Sequence, residues 1–220
     1  MKEVGIFSFG RKKSERVYNK MLRPFANTTL TDIILQKLKK LPNSFFAGYE
    51  KEFEDKCKKW GVKFIKRDKN SIIIDKPIIK ILSFLKNIDY KYFLIINGCL
   101  PFLKIGTINE FLSVCKKHKP LFSIVQRDNF FINSKCKPIN FDVKMETINT
   151  KLVDPVYEFS HALYFFNKEY FFEHKKYWDW KKVNYYIIKD KLEVMDIDTE
   201  RDFKIAQILY RNDYNCRNWD

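Results

Sequence analysis

Short apolar runs alternate with amphipathic segments along most of this chain. The apolar runs predict strands at 4–9, 44–49, 62–66, 92–97, 121–125, 161–166 and 185–188. The amphipathic segments predict helices at 31–41, 51–60, 77–85, 107–117 and 200–210. Such alternation is typical of an α/β fold with three layers, in which a mostly parallel mixed sheet carries helices on both faces. The run YFLIIN at 92–97 is the most apolar, so we expect it at the centre of the sheet.

The alternation is lost between residues 127 and 158, where Asn, Lys and two prolines interrupt the pattern. We therefore expect a short insertion near 127–158, in the form of a β-arm. No repeat and no linker composition divides the chain, and 220 residues suffice for one domain with a sizeable core. The sequence predicts a single domain over residues 1–220.

Composition and charge limit the classes of function. With 45% hydrophobic and 17% aromatic residues, the chain is expected to fold into a packed globule. The net charge of +15 favours a polyanionic partner, which is a nucleic acid, an anionic membrane or a phosphorylated small molecule. A solvated basic surface without a partner is the alternative, because lysine is frequent throughout. No RNP motif or KH GXXG loop is present, so a basic nucleic-acid-binding protein is the weaker hypothesis.

Neither membrane insertion nor a metal-thiolate site is expected. No apolar run approaches the roughly 18 residues of a membrane span, and the N-terminus lacks the pattern of a signal peptide, which predicts a cytoplasmic protein. The five cysteines fall singly and the three histidines are scattered. Reduced thiols and no zinc site are therefore predicted.

The segment FGRKKSERVYNK, at 9–20, follows the first predicted strand. Five cationic side chains lie within it: Arg11, Lys12, Lys13, Arg16 and Lys20. Since ligands of open α/β sheets bind at the carboxyl ends of the strands, these cations could surround a triphosphate, with Ser14 and Asn19 as polar partners. The segment has neither a P-loop nor a GxGxxG pattern, so side chains rather than glycine backbone would hold the phosphates. An ordinary solvated loop is the alternative.

Four segments carry a resemblance to a known family. GRKKSERVYNKMLRPFA (10–26) resembles ARGGSKRIPNKNLRPFA, the N-terminal signature of the acylneuraminate cytidylyltransferases, which include the CMP-sialic acid and CMP-Kdo synthetases. EVMDIDTERDFKIAQ (193–207) resembles that family's E-x-IDIDTxxDxxxAE ending. LIINGCLPF (94–102) is similar to LLQPTSPL, and SHALYFF (160–166) is similar to NGAIYI. The resemblance spans nearly the whole chain and implies a Rossmann-like nucleotidyltransferase fold.

The resemblance implies CMP transfer from CTP to an acceptor oxygen, with release of pyrophosphate. It implies that Arg11 and Lys20 stabilise phosphate charge as catalytic residues, and that Ser14 and Asn19 position the nucleotide. Lys12 and Lys13 replace two glycines of the family pattern and are expected to add charge near the phosphates. Contacts to the cytosine or ribose are expected from three further residues: Arg67, Ser71 and Asn97.

Two carboxylates near the end of the chain suggest a metal site. Asp196 and Asp198 alternate with Ile197, so in an extended segment both carboxylates point to one side. Oxygen ligands of this kind suit Mg²⁺, and the resemblance favours a magnesium site in which Asp198 is also catalytic. The alternative is that one of the two, or Thr199, caps the helix predicted from Glu200.

The identity of the acceptor is the least determined feature. The resemblance implies an acidic sugar of nonulosonic acid or Kdo type, destined for a bacterial surface glycan, with contacts from Ser160 and His161. A structural histidine is the alternative for His161, and the aromatic group at 177–180 is expected to pack rather than to bind sugar. The resemblance implies a homodimer, because in that family the insertion often builds the dimer. A non-sugar or phosphorylated acceptor remains an alternative.

Overall fold

The computed structural model describes residues 2–73, 76–115, 117 and 119–212. Seven strands form one sheet: β1 (Lys2–Phe9), β2 (Ser44–Gly48), β3 (Lys63–Lys66), β4 (Tyr90–Ile96), β5 (Leu121–Arg127), β6 (Val156–Asn167) and β7 (Asn184–Ile187). Their order is β3-β2-β1-β4-β6-β5-β7. All pairs are parallel except those of β6 with β4 and β5. The apolar strand β4 lies at the centre, as predicted.

Helices cover both faces of this sheet: α1 (Leu30–Lys39), α2 (Lys51–Trp60), α3 (Ile78–Ile81), α4 (Ile105–Cys115), α5 (Lys168–His174) and α6 (Glu200–Asn212). Successive residues of each strand point to opposite faces. Ile6 therefore packs in the larger core with α1, α2, α4 and α6, whereas Phe7 packs in the smaller core with Phe171 of α5. The predicted three-layer α/β fold is confirmed.

The helix predicted at 77–85 is broken after one turn. The four-residue helix α3 is followed by a 3₁₀ segment at 83–87. Leu82, between them, has left the helical region, with φ −103° and ψ 18°. A three-residue period then turns Leu82, Leu85 and Ile88 towards the same core, which explains the break.

Helix α5 was not predicted from the pattern, although its sequence carries a start signal. Asn167 caps the helix, because its side chain accepts a hydrogen bond from the backbone N–H of Tyr170 over 2.9 Å. Phe171 lies in the core. The helix is short and begins directly at the end of β6. It is therefore too short to show the helical spacing of apolar residues from which the other helices were predicted.

The insertion lies at the predicted place, with different boundaries. Strands β5 and β6 pair as far as Arg127 and Val156, so only residues 128–155 are irregular. Asn140 organises this segment: its Oδ1 accepts from Phe131 N over 2.8 Å, and its Nδ2 donates to Asp154 O over 2.7 Å. The expected β-arm is limited to the paired ends of β5 and β6 and one isolated bridge.

Candidate active site

A cavity of about 700 Å³ opens at the carboxyl ends of β1 and β4. Because these strands are parallel neighbours, with Phe7 beside Ile95, the residues that follow each strand meet at one edge. Seven of the predicted site residues line the cavity: Arg11, Ser14, Lys20, Arg67, Ser71, Asn97 and His161. The structure thus brings together residues that are as much as 150 positions apart in the sequence, since 161 − 11 = 150.

The basic segment after β1 forms one wall of this cavity. Val17 is fully buried and anchors the segment to the core. Arg11 Nη1 donates to the carbonyl of Ile72 over 3.4 Å. The Lys20 side chain is 11% exposed, and its ammonium donates to the carbonyl of Ile197. Two cations of this wall therefore contact backbone carbonyls of segments that are distant in the sequence.

The two predicted metal-binding carboxylates lie beside Lys20. Asp198 Oδ1 is 3.9 Å from Lys20 Nζ and 2.7 Å from Arg16 Nη2. Asp196 Oδ2 accepts from Asn97 Nδ2 over 3.3 Å. Ile197, between them, is fully buried, which is the alternation expected of an extended segment.

Asp196 has an unusual environment for a carboxylate. Its Oδ1 is buried and, among the residues that the structure describes, has no hydrogen-bond partner. Burial raises the pKa of Asp196, while Lys20 opposes that rise and Asp198 adds to it. A buried carboxylate oxygen without a donor is costly unless a cation completes its coordination.

Neither aspartate is engaged in capping α6. Thr199 makes those contacts instead: its Oγ1 accepts from Asp202 N over 3.1 Å and donates to Asp202 Oδ2 over 2.7 Å. Within the described ranges, no group of three or more His, Cys, Asp or Glu side chains could hold a metal ion. The aspartate pair would therefore supply at most two protein ligands. This number suits Mg²⁺, which proteins usually bind through one or two carboxylates together with substrate phosphates and waters.

The opposite wall is built around Arg67. Its side chain is 3% exposed, and its guanidinium donates to the carbonyls of Gly10 (3.2 Å), Ile81 (3.2 Å) and Ser71. Burial lowers the pKa of Arg67 to about 10. Ser71 is 2% exposed and donates to Asp68 O over 2.7 Å. Both residues border the cavity, and their contacts to a nucleotide remain predictions.

Two of the predicted cations do not line the cavity. The Lys12 ammonium pairs with Glu52 at the start of α2, and its backbone N–H donates to Glu50 Oε1 over 3.0 Å. The charge of Lys12 is therefore matched by a protein carboxylate. Lys13 is exposed and lies outside the cavity wall.

Asn19 and Ser160 also lie outside the wall. Asn19 occupies a turn with φ 50°, where its carbonyl accepts from the N–H groups of Leu22 and Arg23. Ser160 is 5% exposed, and its Oγ donates to Ser123 Oγ over 2.6 Å. The Asn19 side-chain Oδ1 is buried and has no hydrogen-bond partner among the described residues. The acceptor contact predicted for Ser160 has no support from its position.

Several cavity residues were not predicted from the sequence. Tyr164 and Tyr177 line the cavity with ring centroids 5.4 Å apart, beside apolar side chains such as Ile81 and Ile95. Tyr164 follows His161 on β6 and lies two residues before the buried Phe166. Because residues two apart in a strand point to the same face, this spacing could have indicated that Tyr164 faces inwards. Tyr177 packs as expected of its aromatic group and also faces the cavity, which no sequence pattern indicated.

The family of the chain follows from a match over nearly its whole length. The family model described as cytidylyltransferase matches residues 10–217. The chain belongs to the cytidylyltransferase family. The predicted enzyme class, a CTP-dependent nucleotidyltransferase, is thereby confirmed. The matched range includes every site residue predicted for this cytidylyltransferase.

Three solved structures share the fold of this cytidylyltransferase. CMP:2-keto-3-deoxy-manno-octonic acid synthetase in complex with CTP is 9% identical, with a TM-score of 0.68 over 94% of this chain and 98% of that one. The 4-diphosphocytidyl-2C-methyl-D-erythritol synthase of Anaerococcus prevotii is 12% identical, with a TM-score of 0.64 over 96% and 97%. A cytidylyltransferase from Leptospira borgpetersenii is 15% identical, with a TM-score of 0.59 over 96% and 87%.

No curated protein matches the sequence of this cytidylyltransferase. In the part of the chain that the structure describes, no helix has both the length and the apolar character to cross a membrane. His118 and Cys216, two of the scattered histidines and cysteines, lie outside the described residues.

Proposed function

We propose that this cytidylyltransferase transfers CMP from CTP to an acidic sugar of nonulosonic acid or Kdo type, in the cytoplasm, for a bacterial surface glycan. The N-terminal and C-terminal motifs support this acceptor class, because both resemble those of the acylneuraminate group. The likeness in fold to CMP:2-keto-3-deoxy-manno-octonic acid synthetase is consistent with it. The observation that carries the proposal is the buried Oδ1 of Asp196, which has no hydrogen-bond partner among the described residues and adjoins Ile197, whose carbonyl accepts from the cation Lys20.

Arg11, Lys20 and Ser14 would hold the triphosphate of CTP. An acceptor oxygen attacks the α-phosphorus, the bond from the α-phosphorus to the bridging oxygen breaks, and pyrophosphate leaves. Positive side chains fixed around the phosphates stabilise the charge that this transfer places on phosphate oxygens. Lys20 suits that role because its ammonium is held at the carbonyl of Ile197, so little reorganisation is required.

Asp196 and Asp198 would hold Mg²⁺ with the phosphates of CTP. The buried oxygen of Asp196 is a hard ligand that a bound cation would satisfy. Asp198, near Lys20, would provide a second carboxylate ligand. The bound ion would supply positive charge to the phosphate oxygens during transfer. Asn97 would hold Asp196 in orientation through its amide, while Arg67 and Ser71 border the side of the cavity proposed for cytidine.

A homodimer is proposed on the exposed edge formed by β7. Tyr185 and Ile187 of this edge strand are 48% and 40% exposed, and Tyr157 of β6 is 47% exposed. Exposed apolar side chains on an unpaired edge are a common feature of association surfaces. Sedimentation equilibrium of the purified protein would test this: a monomer at tens of micromolar removes the dimer from the proposal.

The central experiment compares nucleotides and acceptors. CTP with Mg²⁺ should raise the melting temperature more than ATP, GTP or UTP, because a ligand that binds only the native state stabilises it by mass action. Pyrophosphate release should then require N-acetylneuraminate or Kdo, with 2C-methyl-D-erythritol 4-phosphate as the phosphorylated comparison. Equal shifts in melting temperature with all four nucleotides would contradict the proposed selectivity for CTP. Salt-resistant RNA binding without CTP turnover would favour the nucleic-acid-binding alternative instead.

A further inference from the structure

Three side chains of the basic segment after β1 contact the segment that leads into α6. Arg23 forms two hydrogen bonds of 2.9 Å with the carboxylate of Glu200. Lys20 donates to the carbonyl of Ile197. Neither of these hydrogen bonds occupies a carboxylate that is proposed to hold Mg²⁺. The third contact, made by Arg16, does.

Arg16 pairs with one of the two proposed metal ligands. Its Nη2 lies 2.7 Å from Asp198 Oδ1. Lys20 Nζ lies 3.9 Å from the same oxygen. Arg16 also lines the cavity, together with Arg11 and Ser14. The structure thus places a guanidinium of the cavity wall on a carboxylate that Mg²⁺ would need.

The ion pair of Arg16 and Asp198 can open without a change in the backbone. The N–H groups of Asp198 and Thr199 donate to Asp202 Oδ2 over 3.2 Å and 2.7 Å, which holds the backbone at the start of α6. The side chains of Arg16 and Asp198 are 69% and 42% exposed. Ion pairs as exposed as this are weak. Rotation of the Arg16 side chain is therefore sufficient to release Asp198, at a small cost in stability.

A divalent cation and the Arg16 guanidinium would compete for Asp198. Two positive charges within a few ångströms of each other repel, so a metal ion on this carboxylate disfavours the guanidinium there. The triphosphate of CTP offers Arg16 other acceptors, because a guanidinium forms paired hydrogen bonds with phosphate oxygens. Arg16 already lines the cavity in which the triphosphate is proposed to bind. Binding of the nucleotide therefore favours the release of Asp198.

We propose that Arg16 exchanges partners when substrate binds: it pairs with Asp198 in the free enzyme and with the triphosphate in the CTP complex. Asp198 then becomes available to Mg²⁺ at the moment when the phosphates are present. Arg16 is thus a positioning residue that makes binding of the metal conditional on the nucleotide, and by linkage each ligand strengthens binding of the other. This assignment rests on the proposed function, because it takes Asp198 as a metal ligand.

The first test measures binding of Mn²⁺ without nucleotide, with the free ion quantified by electron paramagnetic resonance. Arg16→Gln should bind Mn²⁺ about three- to fivefold more tightly than the wild type, which is the range expected when a weak ion pair no longer competes. Arg201→Gln is the matched control, because it removes the same charge from an exposed position on α6 outside the cavity wall. It should change the affinity by less than about 1.5-fold, since solvent and salt screen exposed charges. An equal effect in both variants, or none in Arg16→Gln, overturns the proposal.

The second test removes the metal and measures CTP binding in chelator by isothermal titration calorimetry. Asp198→Asn should tighten CTP binding, because it frees Arg16 and removes a negative charge. In the Arg16→Gln background the same substitution removes only the charge, so its effect should be about three- to fivefold smaller. Equal effects in the two backgrounds would show that Arg16 does not leave Asp198 for the nucleotide, and the proposal would be wrong. Failure of the proposed function would appear differently, as a wild-type protein that CTP does not stabilise.

Discussion

Asp196→Asn should make the protein more stable and less active at the same time. At pH 7 and with a chelator present, the carboxylate is buried, and one of its oxygens lacks a donor in the part of the chain that the structure describes. The amide of asparagine is neutral, so it costs less to bury, and it can still accept from Asn97. An unsatisfied buried polar group costs about 1–3 kcal/mol and a charged one costs more, so the variant gains only the difference between the two. Because loss of the attraction to Lys20 offsets part of this gain, we expect the free energy of unfolding to rise by about 1 kcal/mol.

That rise corresponds to about 2–4 °C in melting temperature for a chain of this length, which differential scanning fluorimetry resolves. The effect has a defined dependence on pH. The pKa of Asp196 is raised above its ordinary value of 3.8, so the folded state binds the proton more tightly than the unfolded state. The destabilisation by the carboxylate is therefore present at neutral pH. It disappears as the pH falls through the raised pKa, and the advantage of the variant should shrink in acid.

Addition of Mg²⁺ and CTP should make the wild type more stable than Asp196→Asn, which reverses their order in melting temperature. Ligands at 100 times their dissociation constant stabilise the wild type by about 2.7 kcal/mol, whereas the variant lacks a charged metal ligand. Turnover of the variant should fall by about 10² or more. Asp142→Asn, at an exposed carboxylate in the 128–155 segment, is the control. It should change neither the melting temperature, nor its rise with Mg²⁺ and CTP, nor the turnover. If Asp196→Asn is less stable than the wild type in chelator, Asp196 has a stabilising partner and the metal assignment fails.

Three further predictions concern the walls of the cavity. Lys20→Ala should weaken CTP binding at least tenfold by isothermal titration calorimetry, while Lys59→Ala, on the exposed face of α2, should leave it within twofold. Asp198→Asn should lose about 10² in turnover and recover part of it in Mn²⁺ or high Mg²⁺, and no recovery would argue against a metal ligand there. Arg67→Met should lower the melting temperature, because three carbonyls lose a charged donor; a variant as stable as the wild type would show that burial of the charge costs as much as its bonds contribute.

The order of the predicted elements and the sheet edge at which the cavity opens were accessible from the sequence. The apolar run at 92–97 identified the central strand, because a strand buried on both faces has no polar alternation. The basic segment after β1 identified one wall of the cavity, and the alternation of Asp196 with Ile197 identified the carboxylates beside Lys20, since both are local patterns. Each of these signals depends on residues within a few positions of one another.

The other walls depend on contacts between distant segments. Ser160 was expected to touch the acceptor, but its position in a bulge follows from a register that β5 and β6 establish together. Lys12 was expected to add charge near the phosphates. Its ammonium instead pairs with Glu52, which the packing of α2 against the sheet brings beside it. Tyr177 reaches the cavity by way of an irregular segment after α5. No local pattern encodes these placements, because each requires the fold to bring the partner into place.

The three carbonyls bonded by Arg67 have a consequence for motion. They belong to the end of β1, to the 3₁₀ segment at 69–72 and to α3, which are three separate connections. One buried guanidinium links them, so displacement of any one connection breaks a charged hydrogen bond to the others. The three should open together rather than singly, and their amides should exchange hydrogen with a common free energy of opening.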